Sequence, residues 1–160
     1  RMIIHAVEIK EFDFAEYGIY YNMLEDRQNV MHCQTDVFED HMTCHPLIDT
    51  PAHLGFTTGQ SAPYTIQSME KHDHTEEALF SMSEPFIVCF AKSRGALPPQ
   101  AEDVRAVILR QGDVIVLARN IWHDAGHGMG KAASYYYLAS RGMGPAEWVR
   151  IDGNPVSVVF

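Results

Sequence analysis

The chain has 160 residues, of which 46% are hydrophobic and 21% are charged, a length and composition that suit one globular domain and exclude a disordered chain. Twelve basic residues against 21 acidic ones give a formal net charge of −9 with no basic cluster, which argues against a nucleic-acid partner. The longest apolar run, 86–91, is too short to cross a bilayer, so we expect no membrane partner and a cytoplasmic protein.

Short β-like segments dominate the predicted elements. Residues 2–9 are rich in β-branched and apolar side chains, 9–17 would form one or two helical turns, and 20–23 would form a strand. The polar stretch 24–49 shows no sustained period and predicts an elaborated loop. From Tyr64 onward the predicted strands, separated by turns rich in Gly and Pro, are 64–69, 86–91, 104–109, 114–118, 134–139, 148–151 and 156–160.

This succession of short strands predicts a sandwich or a barrel. We expect a single domain over 1–160, with N-terminal strands and loops in 1–63 and the chemistry in 64–160. The glycine-rich segment 126–130 is expected to be a turn.

Three cysteines, Cys33, Cys44 and Cys89, are odd in number and too few for a disulfide framework, which fits a reducing compartment. Cys89 lies within the apolar run and is predicted to be a buried thiol. The pairs His32-Cys33 and Cys44-His45 are separated by ten residues. A zinc site formed by these pairs matches no familiar ligand spacing, so we expect ordinary loop residues there.

A first polar segment with candidate chemistry begins at Glu70. Alternate residues of a strand face one side, so Glu70 and His72 are expected to point into the barrel, with Glu77 returning from the next turn or strand. In an alternative register, His72 and His74 form the pair and act with Glu76 or Glu77. His74 would otherwise face the opposite side or lie at the pocket mouth as an acid or base.

A second segment, Gly112-Asp-Val-Ile-Val-Leu-Ala-Arg-Asn-Ile-Trp-His123, ends in a histidine that would enter the same pocket from a later hairpin. Surrounding apolar strands would desolvate these groups at a cost of several kcal/mol per unpaired charge. We therefore expect a metal ion or a bound anionic substrate to compensate.

In their spacing, the two segments resemble the paired motifs of the cupin family. Glu70 stands where the first cupin motif has its first histidine, followed by His72 and Glu77, and His123 matches the last ligand of the second motif. Ala118 and Asn120 occupy the usual Pro and Gly positions. The resemblance implies an all-β, cupin-type antiparallel β-barrel or jelly roll with a few short helices.

Within the cupins, the chain resembles the ureidoglycolate lyase family, also called ureidoglycolate hydrolase, of allantoin degradation in purine metabolism. The segments that carry this resemblance are Glu70-Lys-His72, Glu77-Ala78, Arg119-Asn-Ile-Trp-His123, Phe14-Ala-Glu-Tyr-Gly18, 63–66 and Arg141-Gly142. The string from Arg119 to His123 is the most specific of them. The resemblance implies a homodimeric lyase that splits a small anionic metabolite, ureidoglycolate, into glyoxylate and urea.

Under this resemblance, a divalent metal ion would bind His72, Glu77 and His123, lower the pKa of the substrate hydroxyl and chelate its carboxylate. Mixed imidazole and carboxylate ligands suit nickel, manganese, iron or zinc. Glu77 replaces a family glutamine, which adds a negative charge and strengthens a metal site. Ala118 stands where family members carry a pocket-facing histidine.

Proton transfer would be the task of Glu70, His74 or His127, because breakdown of the substrate removes a hydroxyl proton and protonates the leaving nitrogen. Arg141 would pair with the substrate carboxylate. Two other functions stay open. One is a different cupin enzyme, such as an isomerase or oxygenase of a small acid or sugar, and the other is a non-catalytic small-molecule-binding cupin.

Overall fold

A computed structural model of the chain describes residues 2–145 and 147–160. The strands of the first half are β1 (Met2–His5), β2 (Val7–Glu8), β3 (Gly18–Asn22), β4 (Val30–Gln34), β5 (Glu39–Thr43), β6 (His53–Gly59), β7 (Ser61–Ala62), β8 (Tyr64–Ile66) and β9 (Ser68–Met69). Those of the second half are β10 (Glu77–Ser81), β11 (Phe86–Ala91), β12 (Arg105–Leu109), β13 (Asp113–Leu117), β14 (Trp122–His123), β15 (His127–Met129), β16 (Ala133–Ala139), β17 (Val149–Arg150) and β18 (Val156–Val159).

Helical structure in the described ranges is short. Two 3₁₀ helices, Ile9–Glu11 and Ala101–Asp103, contain three residues each. Within those ranges, no helix has the length and apolar character that crossing a membrane requires.

Two sheets form the barrel and carry the core between them. One has the strand order β3-β13-β10-β16-β6, and the other has the order β2-β12-β11-β15-β7, with β14 also paired to β11. Their facing sides contribute buried residues of one core cluster, among them Leu79, Phe86, Phe90 and Ile115. This arrangement confirms the prediction of an all-β barrel or jelly roll.

The apolar run on β11 is buried because both of its faces are covered. Phe86 and Phe90 belong to the core between the two main sheets. Ile87 and Cys89 belong to a second core, which the three-stranded sheet β1-β18-β8 closes from the outside. A strand covered on both faces has no polar alternation, and this explains the uninterrupted run.

The spacing of Phe14, Tyr17 and Gly18 has a structural cause. The rings of Phe14 and Tyr17 meet Phe90 edge to face at 5.3 and 4.6 Å between centroids. Gly18 has a φ of 153°, and a Cβ there would lie 1.8 Å from the carbonyl oxygen of Val116. The segment thus anchors β3 to the core, and the predicted helical turns reduce to Ile9–Glu11.

Three strands lie where the sequence predicts a loop or a turn: the hairpin β4–β5 occupies part of 24–49, and β15 lies within 126–130. Strands β6 and β10 are among those that the sequence does not predict. The sequence of β6 has two glycines and no clean alternation, but all seven of its residues pair with β16. Gly55 is required there because a Cβ would lie 2.0 Å from the ring of Tyr137.

Asn120 turns the chain after β13 and has a φ of 65°. Its backbone N–H donates to the carbonyl oxygen of His72 at 2.8 Å. Only glycine and, less readily, asparagine adopt this left-handed conformation at low cost. We expect Asn120→Gly to fold with unchanged stability and Asn120→Val to lose about 1–2 kcal/mol of unfolding free energy. Urea denaturation checks this, and equal losses in both variants would contradict the backbone explanation.

Candidate metal centre

A cavity of about 910 Å³ opens beside the inner face of the barrel. Six of the seven residues that the sequence singled out line it: Glu70, His72, His74, Glu77, His123 and Arg141. The seventh, His127, is not among the described residues that line this cavity.

Backbone pairing brings Glu70 and His123 together across a gap of 53 positions in the chain. The N–H of Glu70 donates to the carbonyl oxygen of His123 at 2.9 Å, and the N–H of His123 donates to the carbonyl oxygen of Glu70 at 2.8 Å. The two residues therefore sit directly opposite each other, with side chains on one face. His72, two positions after Glu70, shares that face.

Glu77 reaches the same space from the first position of β10. Its register partner is Leu117, and Leu79 pairs with Ile115 in the same ladder. Leu79, Ile115 and Leu117 all belong to the inner core. Because alternate residues share a face, Glu77 also points inward.

The four side chains converge within ligand-bridging distance. From Glu70 Oε1, the Nε2 atoms of His72 and His123 lie 3.8 and 3.7 Å away. Glu77 Oε1 lies 3.7 Å from His72 Nε2, and Glu77 Oε2 lies 3.3 Å from His123 Nε2. None of the four side chains is more than 20% exposed. Donor atoms of Glu70, His72 and His123 all lie within 4.8 Å of one another, as the ligands of one metal ion would, and Glu77 lies beside both imidazoles.

Hydrogen bonding prepares His123 as a ligand. Its Nδ1 lies 3.0 Å from the carbonyl oxygen of Ile121, which can only accept, so Nδ1 carries the proton and Nε2 offers a lone pair. Within the described residues, His123 Nε2 and Glu70 Oε2 are buried without a hydrogen-bond partner. Unpaired buried polar atoms are costly, and two imidazoles with two carboxylates suit a divalent ion. These residues therefore fit a metal.

Burial shifts the ionisation of all four groups toward their neutral forms. It raises the pKa of Glu77 to about 7, against an opposing effect of His72, and it raises the pKa of Glu70. It also lowers the pKa of His72 and of His123. Clustered carboxyl and imidazole groups with displaced pKa values are typical of functional sites.

The raised pKa of Glu77 makes the stability of the metal-free protein depend on pH. The folded state keeps this proton up to about pH 7, whereas the usual carboxyl pKa is 4.5, so the unfolding free energy falls as pH rises through that window. The loss amounts to at most about 3 kcal/mol. Urea denaturation of the metal-free protein from pH 4.5 to 8 is the measurement. Glu77→Gln should remove this fall in unfolding free energy. The control is Glu76→Gln, which should retain the fall because the Glu76 carboxylate accepts from the Asp49 N–H instead.

Two predicted residues lie at the rim of the cavity. His74 is exposed, and its Nε2 lies 3.1 Å from the carbonyl oxygen of Ser140, just before Arg141. Arg141 is exposed and lines the same cavity. Both side chains can therefore contact a molecule that enters the cavity.

His127 does not join the cluster. Its ring stacks on Tyr64 at 3.5 Å between centroids, and its Nδ1 lies 3.0 Å from the carbonyl oxygen of Gln60. Pairing of β15 with β11 and β7 sets this orientation. Arg119 begins the string from Arg119 to His123 and also has a structural partner. Its guanidinium binds both carboxylate oxygens of Asp49 at 2.7 and 3.0 Å.

The cavity residues that the sequence analysis did not single out include His53, Tyr135 and Tyr137. The tyrosines occupy alternate positions of β16, and this alternation within the predicted strand was the available signal. His53 begins β6, for which the sequence carries no strand pattern. It adds an imidazole to the cavity.

Comparison with known proteins identifies one sequence family. A family model described as ureidoglycolate lyase matches residues 1–147. No curated protein matches the chain significantly.

The solved structures that match the chain include two RmlC proteins. The dTDP-6-deoxy-D-glucose-3,5-epimerase RmlC from Legionella pneumophila Philadelphia 1 is 10% identical, with a TM-score of 0.51 over 73% of this chain and 66% of that one. RmlC from Streptococcus suis in complex with dTDP-D-xylose is 5% identical, with a TM-score of 0.48 over 72% and 63%. This chain thus spans slightly less than two thirds of either protein. At these identities, the Legionella enzyme supports a shared β-barrel fold alone.

Proposed function

The chain belongs to the ureidoglycolate lyase family, and on this basis we propose that it splits ureidoglycolate into glyoxylate and urea at a divalent metal site. The observation that carries the proposal is the convergence of two imidazoles and two carboxylates in one cavity. A small anionic metabolite suits a cavity with Arg141 at its rim.

We assign His72, Glu77 and His123 to holding the metal and Glu70 to proton transfer. When bound, a divalent ion supplies Lewis acidity toward the substrate hydroxyl and carboxylate. Nickel, manganese, iron and zinc all suit this ligand set. Burial raises the pKa of Glu70, which makes its carboxylate a stronger base than an exposed one.

The reaction needs two proton movements around one carbon, which carries a hydroxyl, a ureido nitrogen and a carboxylate. Glu70 accepts the hydroxyl proton, the oxygen forms the carbonyl of glyoxylate, and the C–N bond breaks with its electrons moving to nitrogen. His74, at the rim, donates the proton that completes urea. Arg141 pairs with the carboxylate and orients the substrate.

Purified protein, prepared without a nickel affinity column, should release urea and glyoxylate in equal amounts once the effective metal is supplied. Glu70→Gln should lower kcat by at least about 100-fold with metal content retained, because it removes the base. Glu76→Gln is the matched control. The absence of turnover with nickel, manganese, iron and zinc would refute the substrate assignment, and retained metal binding would then favour a different cupin function.

Family membership also supports a homodimer, and we propose this state together with a cytoplasmic location and a role in allantoin degradation. Sedimentation equilibrium of the purified protein tests the dimer, and a monomer at micromolar concentration would refute it.

A further inference from the structure

The hairpin β4–β5 carries a second cluster of metal-binding side chains, separate from those that line the cavity. His32 on β4 is the direct register partner of His41 on β5. Glu39 lies two positions before His41 on the same strand and therefore on the same face. Donor atoms of all three residues lie within 4.8 Å of one another.

The geometry of this cluster centres on one carboxylate oxygen. Glu39 Oε1 lies 2.8 Å from His32 Nε2 and 3.2 Å from His41 Nε2. The two imidazole rings are 4.8 Å apart between centroids. Each ring thus presents its Nε2 atom to Glu39 Oε1, and the two rings come from opposite strands of the hairpin.

The hairpin has few other contacts to hold its strands together. In the described ranges, β4 and β5 pair with each other in a sheet of two strands. Four of the five residues of β4 are exposed, and only Val30 at its root joins the buried cluster that includes Ile48. A two-stranded sheet is marginally stable in water, so a link between its strands has a large effect on its order.

We propose that His32, Glu39 and His41 bind one divalent transition-metal ion, zinc being the best suited, which clamps the two strands. Two imidazoles and one carboxylate form a known zinc ligand set, with water at the fourth position. Tetrahedral zinc would separate its donors by roughly 3.3–3.5 Å. Glu39 Oε1 lies 2.8 and 3.2 Å from the two imidazole nitrogens, so a shift of about half an ångström in this exposed side chain brings both separations close to the tetrahedral value.

The neighbouring cysteines do not belong to this ligand set. Cys33 follows His32 on the strand and so faces the other side, opposite Asp40. Cys44 lies beyond the end of β5, with its Sγ 3.9 Å from the carbonyl oxygen of Gln28. The proposed site therefore differs from the zinc site of His32-Cys33 and Cys44-His45 that the sequence analysis considered.

Zinc titration of the full chain, followed by imidazole ¹H–¹⁵N NMR, tests the site without any measurement of activity. We expect the Nε2 signals of His32 and His41 to shift together with zinc. His32→Ala combined with His41→Ala should remove one equivalent of bound zinc per chain and leave the cavity signal of His123 unchanged. His45→Ala, on the same surface segment, and Cys33→Ser should keep that equivalent.

A second readout uses the exposed tip of the hairpin, where Val37 is 86% exposed. Zinc should slow proteolytic cleavage at the tip at least about tenfold in the wild type and in His45→Ala, but not in the double histidine variant. Unshifted His32 and His41 signals at saturating zinc would overturn the proposal. Loss of the zinc equivalent in Cys33→Ser would overturn the assigned ligands.

Discussion

Replacing His123 with alanine is expected to lower kcat/KM for urea release by at least about 100-fold and to remove the bound metal from the cavity. The side chain is 5% exposed, and its Nδ1 contact with the Ile121 carbonyl directs the Nε2 lone pair toward both carboxylates. Alanine supplies no donor at this point, and solvent is poorly placed to replace it. Steady-state kinetics and elemental analysis are the measurements.

His127→Ala is the control for this experiment, because its ring stacks on Tyr64 and lies outside the set of described cavity residues. We expect it to keep its metal and to stay within a few-fold of wild-type activity. A His127→Ala protein that folds and binds metal but has lost turnover would contradict our assignment of proton transfer to Glu70 and His74. Wild-type metal content in His123→Ala would contradict the proposed ligand set.

Replacing Phe90 with alanine is expected to lower the unfolding free energy by about 3–5 kcal/mol. The side chain is fully buried, and the rings of Phe12, Phe14 and Tyr17 contact it at 5.6, 5.3 and 4.6 Å between centroids. Alanine leaves a cavity between these rings and the inner face of the barrel. Urea denaturation measures the loss.

Phe56→Ala is the matched control, since this phenylalanine is 56% exposed and should cost less than about 1 kcal/mol. The loss at Phe90 is a large share of the 5–15 kcal/mol of a typical domain. Phe90→Leu, with an expected loss of roughly 1 kcal/mol, keeps the comparison measurable if the alanine variant does not fold. Similar losses for Phe90→Ala and Phe56→Ala would contradict the core assignment.

The ligand spacing around His72 and the continuous run on β11 were readable in the sequence because both depend on local periodicity. Alternation along a strand relates Glu70 to His72 whatever the rest of the chain does. An apolar run of six residues is stable only where both faces are covered. The all-β fold and the position of most site residues follow from such local patterns.

Other features depend on partners that lie far away in the chain. Strand β6 forms because it pairs along its whole length with β16, as His53 does with Ala139. The same kind of long-range pairing sets Glu70 opposite His123 and turns His127 toward Tyr64, outside the set of cavity residues. The local sequence does not predict these pairings, because their energy comes from contacts that form only when the sheets assemble.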